Sequence, residues 1–363
     1  MIQKITDKKQ LLEFIYFIKD LYEGEANFVY PIFSSLKKEL YEEVLVKKQY
    51  TALLYKEDNK TLGRILYTIS HDKSSNQPVC FFSFFDCVNK TEVAKALFEY
   101  LTEDVRSQGI NHIEGTYCPY DPDTRRGILV HGFDQPHTIL TSYNFDYYEH
   151  LLIECGFNKA YDTYTLNLPL TDEFKRRTAV IATRFNRLYD VRIDNLNKKN
   201  VDQDINDVFQ IFQEASTEVN YQEPPSKEMI KSVLKSLKFL INAKLVKIAR
   251  ENATNAPIGF CFILPDFNQI FKKTKGKIDI FKLISNKNKI SSARGMLQYV
   301  VPKYQRTGLL YAMYDDIVKT FDQIGVTHFE GGTILEENTD SWKQFEKLGG
   351  HISKVYRIFS KEI

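Results

Sequence analysis

Two stretches of this chain repeat one another. Residues 109–115 read Gly-Ile-Asn-His-Ile-Glu-Gly and residues 325–331 read Gly-Val-Thr-His-Phe-Glu-Gly, an offset of 325 − 109 = 216. Carried backward without a gap, that offset pairs 91–108 with 307–324, matching Thr91 to Thr307 and Ala96 to Ala312. A second match follows: Asn144, Asp146 and Tyr148 answer to Asn338, Asp340 and Trp342, an offset of 194. The difference, 216 − 194 = 22 residues, is an insertion in the first half around 118–139. Two matches in the same order point to a duplicated domain.

The periodicity predicts the same sequence of elements twice. In the first half an amphipathic helix at Lys8–Leu21 precedes strands at Thr51–Tyr55, Gly63–Ile69 and Val79–Phe85. A helix at Glu92–Ser107, a strand at His112–Tyr117, a helix at Phe145–Cys155 and a strand at Ala160–Leu168 follow. Pro169 and the charged 172–177 stretch suggest a boundary, giving units 1–170 and 171–363. The second half predicts helices at Ile205–Ala215 and Lys227–Phe239 and strands at Leu245–Arg250, Ile258–Leu264 and Gly295–Val301. Then come a helix at Leu309–Gln323, a strand at His328–Gly332, a helix at Thr339–Lys347 and a strand at Ile352–Phe359. The fold class expected is α+β.

A chain of 363 residues is long for one core and comfortable for two. Its 22 Tyr and 26 Phe supply the apolar bulk for both. The net charge of +2 gives no reason to expect nucleic acid or an anionic membrane as a partner. Five scattered cysteines form no metal spacing and are expected as small core residues. The N-terminus lacks a signal-peptide pattern and no apolar run approaches about 20 residues, so a cytoplasmic protein is expected. No dinucleotide, Walker, zinc-protease or serine-hydrolase motif occurs.

The most informative segment is Gln298-Tyr-Val-Val-Pro-Lys-Tyr-Gln-Arg-Thr-Gly-Leu-Leu310. An apolar strand ends at Pro302, a polar turn follows, and Gly308 opens a helix. Free N–H groups and the positive helix end then converge where a phosphate fits. On spacing alone, an ordinary strand–turn–helix connection is the alternative. These residues resemble the GNAT (GCN5-related N-acetyltransferase) superfamily, whose acyl-CoA loop reads Val-x-Pro-x-Tyr-[Gln/Arg]-x-x-Gly-x-[Gly/Ala]. Val300, Pro302, Tyr304, Gln305 and Gly308 match, whereas Leu310 replaces the last small residue. Downstream, Asn338 through Gly350 is similar to the family's last helix and strand.

The resemblance implies two tandem GNAT-like domains, each a mostly antiparallel sheet flanked by helices. It implies acetyl-CoA or another acyl-CoA as co-substrate, no metal, and transfer to a small-molecule or peptide amine. It places Tyr299, Val300, Val301, Gln305, Arg306, Thr307, Gly308, Leu309, Leu310 and Asn338 at the cofactor, with backbone donors at Tyr299 and Val301. At offset 216, Gly308 becomes Glu92 in the first half, a carboxylate where a diphosphate would sit. The first half is therefore expected to be a degenerate copy.

The family's acid is a tyrosine on the last helix, and its slot here is Phe345. Tyr304 is the candidate acid in its place, with Tyr311 and Tyr143 as further candidates, and Glu330 the candidate base. The repeat partner Glu114 equally suits a structural role for Glu330. The insertion offers Tyr117, Arg125, Arg126 and Tyr143 as substrate contacts, with Asp121, His131 and Asp134 beside them, or else a surface hairpin. Lys272, Lys273, Lys275, Lys277, Lys282, Lys287 and Lys289 face only Asp279 in their stretch. That pattern fits a solvated face, an attractor for acidic groups, or an amphipathic docking surface. The function expected is N-acyl transfer. The alternative is a non-catalytic acyl-CoA-binding or interaction module, and nothing in the sequence favours long-chain or aminoacyl transfer.

Overall fold

The computed structural model describes all residues except 72–76, 118–124, 216–225 and 279. The first half supplies β1 (Ile2–Lys4), α1 (Lys8–Leu21), α2 (Phe33–Leu40), β2 (Thr51–Glu57), β3 (Lys60–His71) and β4 (Pro78–Cys87). It continues with α3 (Thr91–Arg106), β5 (His112–Gly115), β6 (Ile128–His131), α4 (Tyr147–Glu154) and β7 (Asn158–Pro169). The second half begins with α5 (Asp172–Leu188), β8 (Val191–Asn195), α6 (Val201–Ala215), α7 (Lys227–Leu237), β9 (Val246–Glu251) and β10 (Pro257–Pro265). It ends with α8 (Asn268–Thr274), α9 (Ile280–Asn286), β11 (Ser292–Val300), α10 (Leu309–Ile324), β12 (His328–Leu335), α11 (Thr339–Lys347) and β13 (His351–Glu362).

The architecture is α+β. Among the described residues, twelve strands run in the order β1-β2-β3-β4-β5-β13-β7-β12-β11-β10-β9-β8, and β6 adds a thirteenth on β13. Pairing is antiparallel except for β4 with β5 and β11 with β12. The two halves exchange their last strands. The chain's final strand, β13, lies beside β5 of the first half, while β7 lies beside β12 of the second. β13 and β7 then pair with each other over His351–Ser360 and Asn158–Asn167, making the centre of the sheet.

Burial supports the repeat at side-chain resolution. At offset 216, Leu97, Phe98, Leu101 and Val105 of α3 answer to Met313, Tyr314, Ile317 and Phe321 of α10, and all eight are buried. Helix α1 occupies its expected span: Asp7 caps it by accepting from Gln10 N, and Leu11, Phe14, Ile15 and Ile18 face the core. The charged 172–177 stretch opens α5. Thr171 caps that helix, and Phe174, Thr178, Ala182 and Phe185 form a buried stripe at helical spacing.

Candidate functional site

Strands β11 and β12 pair only at Ser292–Arg294 with His328–Glu330 and then diverge. A bulge at the Phe262/Ile263 step of the β10 ladder falls opposite Met296. Beyond it, Val301 donates its N–H to the Ile258 carbonyl at 3.0 Å. Antiparallel ladders alternate, so the Tyr299 N–H also faces β10. The backbone donors expected at Tyr299 and Val301 are thus turned into the sheet, and those of Gln298 and Val300 face the divergence. The Tyr299 ring packs on Phe212 at 4.6 Å.

The loop leaving β11 makes a short 3₁₀ turn over Pro302–Tyr304 and enters α10 at Gly308, which adopts φ +102°. No side chain caps this helix start. Geometry leaves the N–H groups of Gly308, Leu309, Leu310 and Tyr311 without intrahelical acceptors. A Cβ added at Gly308 would lie 3.0 Å from Ile181 Cγ2 of α5. Left-handed backbone and a packed helix therefore each demand glycine here. Helix α5 is part of the site that sequence reasoning missed; its amphipathic stripe was the available signal, obscured by the charges around it. Arg184, exposed, lies one turn from Ile181 on the same helix.

The remaining loop residues have settled places. Val301 and Leu309 are buried, while Gln305 and Arg306 are exposed and Thr307 and Leu310 are half-buried. Arg306 pairs with Asp340 of α11 at 2.5 Å. Asn338 caps α11 by accepting from Ser341 N at 3.2 Å, so its side chain is engaged in the helix start. Tyr304 donates its hydroxyl to Glu251 at 2.6 Å, which fixes the loop to the end of β9. Lys303 and Thr254 join that carboxylate, and these hydrogen bonds hold Glu251 down to about 2.

In the first half, β4 and β5 also pair over three positions and then diverge, but the gap is filled. Parallel register matches Phe81 with Glu114 and Arg294 with Glu330, an offset of 294 − 81 = 213, so 216 − 213 = 3 residues are missing before α3. At the end of β4, the backbone is claimed by two tyrosines of α4. Cys87 donates its N–H to Tyr148 Oη at 3.2 Å, and Tyr147 donates to the Cys87 carbonyl at 2.8 Å. Glu92 is exposed on the first turn of α3.

Between the halves lies a cavity of about 990 Å³, at the upper end of the range for small-molecule sites. Met296 and Leu297 of the diverging strand line it, together with Phe260 and Phe262 of β10 and Leu234 and Leu237 of α7. The first half contributes Phe84, Tyr117, Arg125 and Tyr143. Of the substrate contacts expected from the insertion, Tyr117, Arg125 and Tyr143 meet here. Arg126 stacks on the Tyr117 ring at 4.7 Å and does not itself line the cavity. His131 and Asp134 are exposed and lie elsewhere, and Asp121 is outside the described residues.

The insertion also fastens the halves together. Ile139 donates its N–H to Asp266 at 2.9 Å, Arg294 donates to the Ile139 carbonyl at 2.8 Å, and Asn268 donates to the His137 carbonyl at 3.0 Å. Burial, with the Glu330 charge nearby, pushes the Asp266 carboxyl up to about 6. Burial drops His137 to about 4, although its ring is held by Thr141 and Val29.

A tandem GNAT protein from the clavulanic acid biosynthesis pathway superposes on the whole chain and on 98% of its own length, with TM-score 0.60 at 10% identity. The chain has the tandem GNAT fold. No established protein-family profile matches it. Protein YghO of Escherichia coli K12 is 23% identical over 381 aligned residues, spanning all of this chain and 95% of YghO. The bacterial ceramide synthase of Caulobacter vibrioides is 25% identical over 282, spanning 75% of this chain and 72% of that enzyme.

Within the GNAT fold, the expected acid and base do not reach the cavity. Glu330 is buried, accepts from the Thr138 hydroxyl, and pairs with Lys354 at 3.4 Å. The Tyr304 hydroxyl points to Glu251, and Phe345 is buried against the Phe329 ring. Tyr311 is half-buried and away from the lining. Among the three candidate tyrosines, Tyr143 lines the cavity; burial and a hydrogen bond to Glu25 push its hydroxyl up to about 12. Among the described residues no cluster of metal-ligating side chains occurs, and no helix is long and apolar enough to cross a membrane.

Proposed function

We propose that this chain is an N-acyltransferase that takes an acyl group from acyl-CoA, held by the second half, and delivers it to the amine of a long-chain acceptor in the cavity between the halves. The observation that carries the reading is the meeting of two features at Met296–Leu297. The diverging strand, with its donors on Gln298 and Val300, opens there into an apolar chamber far larger than an acetyl group needs.

The residues fit an acyl-CoA in parts. Free N–H groups at the start of α10, with Arg306 and Arg184 nearby, suit the diphosphate. The open side of β11 suits the extended pantetheine arm and offers an N–H to the carbonyl oxygen. An alkylammonium carried into the apolar chamber is desolvated, which lowers its pKa and favours the neutral, nucleophilic amine. That effect reduces the need for a dedicated base. As the nitrogen bonds to the carbonyl carbon, the C–S bond breaks and the nitrogen's proton passes to the departing sulfur, directly or through water. A thiolate leaves without strong acid assistance, consistent with Phe345 in the acid's slot. The partial likeness to a ceramide synthase supports an acceptor of the long-chain amino alcohol class, since a ceramide is the N-acyl derivative of one.

The test is CoA release in a thiol assay, with acyl-CoAs of graded length against long-chain amino alcohols and against short amines. Turnover with long-chain acceptors and none with short ones is expected. Binding of acyl-CoA without release for every acceptor would leave the non-catalytic binding module, and turnover confined to short amines would overturn the chain-length reading.

A further inference from the structure

The outer wall of the cavity is an amphipathic helix. Met229, Ile230, Val233, Leu234 and Leu237 of α7 line the chamber. Lys227, Lys231, Lys235 and Lys238 recur at spacings of four, four and three, all exposed, within an arc of about 80° beside that apolar face. Just beyond the helix, the Phe239 ring is 81% exposed. A second segment touching the chamber, through Asn268 and Phe271 of α8, continues into α9, where Phe281 is 87% exposed. Around it Lys272, Lys273, Lys275, Lys277, Lys282, Lys287 and Lys289 are all exposed, as is Ile278.

No large apolar side chain except Met1 is as exposed as these two phenylalanines among the described residues. The Lys238 ammonium lies over the Phe239 ring at 4.8 Å, and an exposed ring among lysines is costly in water and at home in the interfacial layer of an anionic bilayer, where ring and ammonium each find a partner. We propose that α7 and the α8–α9 segment form a docking face for an anionic membrane surface, inserting Phe239 and Phe281, and that lipid enters the chamber between these elements. Charge selects the occupant: three lysines on α7, of which Lys231 also pairs with Asp202 at 3.0 Å, Lys238 just past it and seven around the other segment match phosphate headgroups. Continuity with the cavity gives the face a purpose, because a long-chain molecule then moves from bilayer to chamber without crossing water.

The inference rests on charge, exposure and position, so it stands or falls apart from acyl transfer. Vesicle binding without turnover would sink only the proposed function, and turnover without vesicle binding only this one. The experiment is flotation of the full chain with vesicles of phosphatidylcholine alone or mixed with phosphatidylglycerol. Partition into the anionic vesicles should exceed that into neutral ones by about tenfold or more and weaken as salt shortens the screening length. Phe239→Ser combined with Phe281→Ser should lower it by about tenfold, with an unchanged melting temperature because both side chains are exposed. Absence of binding to anionic vesicles overturns the proposal. So does binding lost on Lys231→Glu with Lys235→Glu but untouched by the phenylalanine changes, the behaviour of a face for an acidic protein.

Discussion

Ile181 of α5 packs against Gly308 at the mouth of α10, close enough that a Cβ on the glycine would lie 3.0 Å from Ile181 Cγ2. Two demands coincide at this position, a φ of +102° and an adjacent helix. Gly308→Ala is expected to destabilise the protein by about 1–2 kcal/mol from backbone strain alone and to weaken acyl-CoA binding. Combining it with Ile181→Ala should recover only the contact part. Thermal melts and calorimetry on the same three proteins separate the contributions.

His137 and Asp266, both buried beside the 137–141 crossing, impose opposite pH dependences. The His137 pKa is lowered from 6.5 to about 4, so its contribution to stability is present above 6.5 and lost as pH falls through 4. The Asp266 pKa is raised from 3.8 to about 6, so its contribution is present below 3.8 and lost as pH rises through 6. Each amounts to about 3 kcal/mol, and between pH 4 and 6 they offset one another. Asp266→Asn removes one and should reveal a decline in stability of about 3 kcal/mol on acidification from pH 6.5 to 4. Denaturant midpoints across that range check it; a flat profile in the variant contradicts it.

Lys354 and Glu330 form a buried pair whose members come from exchanged and native strands of the central sheet, β13 and β12. Lys354→Met leaves the carboxylate unpaired and should cost about 3–5 kcal/mol. Glu330→Gln keeps the hydrogen-bonding shape and should leave the kcat of the folded protein, and its pH profile, unchanged. A loss of the basic limb in that profile would instead restore Glu330 as the base.

The chain-length reading depends on α7. Leu237→Trp adds bulk inside the chamber and should lower transfer to long-chain acceptors by about tenfold or more while sparing acyl-CoA affinity. Equal losses for short and long substrates would indicate a general packing defect.

Local signals in the sequence reached far into the fold. The 3.6-residue apolar pattern placed α1 at Lys8–Leu21, and the His-x-Glu-Gly repeat located β5 and β12. What stayed hidden was non-local. Nothing in 351–362 states that it will lie beside β5, since an alternating strand reads alike whichever half it joins. The roles of Glu330 and Tyr304 turned on partners contributed from distant segments, Thr138 and Glu251. Near-neutral net charge concealed the lysines collected around α7 and α9, because an average over the chain carries no position. The loop at 300–310 was legible, yet α5 closing on Gly308 was not, for its charges suggested a boundary.

The central claim is asymmetry: one half keeps an opening for the nucleotide thioester, and the other has filled its own with Tyr147 and Tyr148. The direct measurement is titration calorimetry with a long-chain acyl-CoA below its aggregation range. One molecule per chain is predicted, with affinity reduced by Arg306→Glu at the loop and unchanged by Lys90→Glu at the start of α3. A stoichiometry of zero or two, or equal sensitivity to both substitutions, would contradict it.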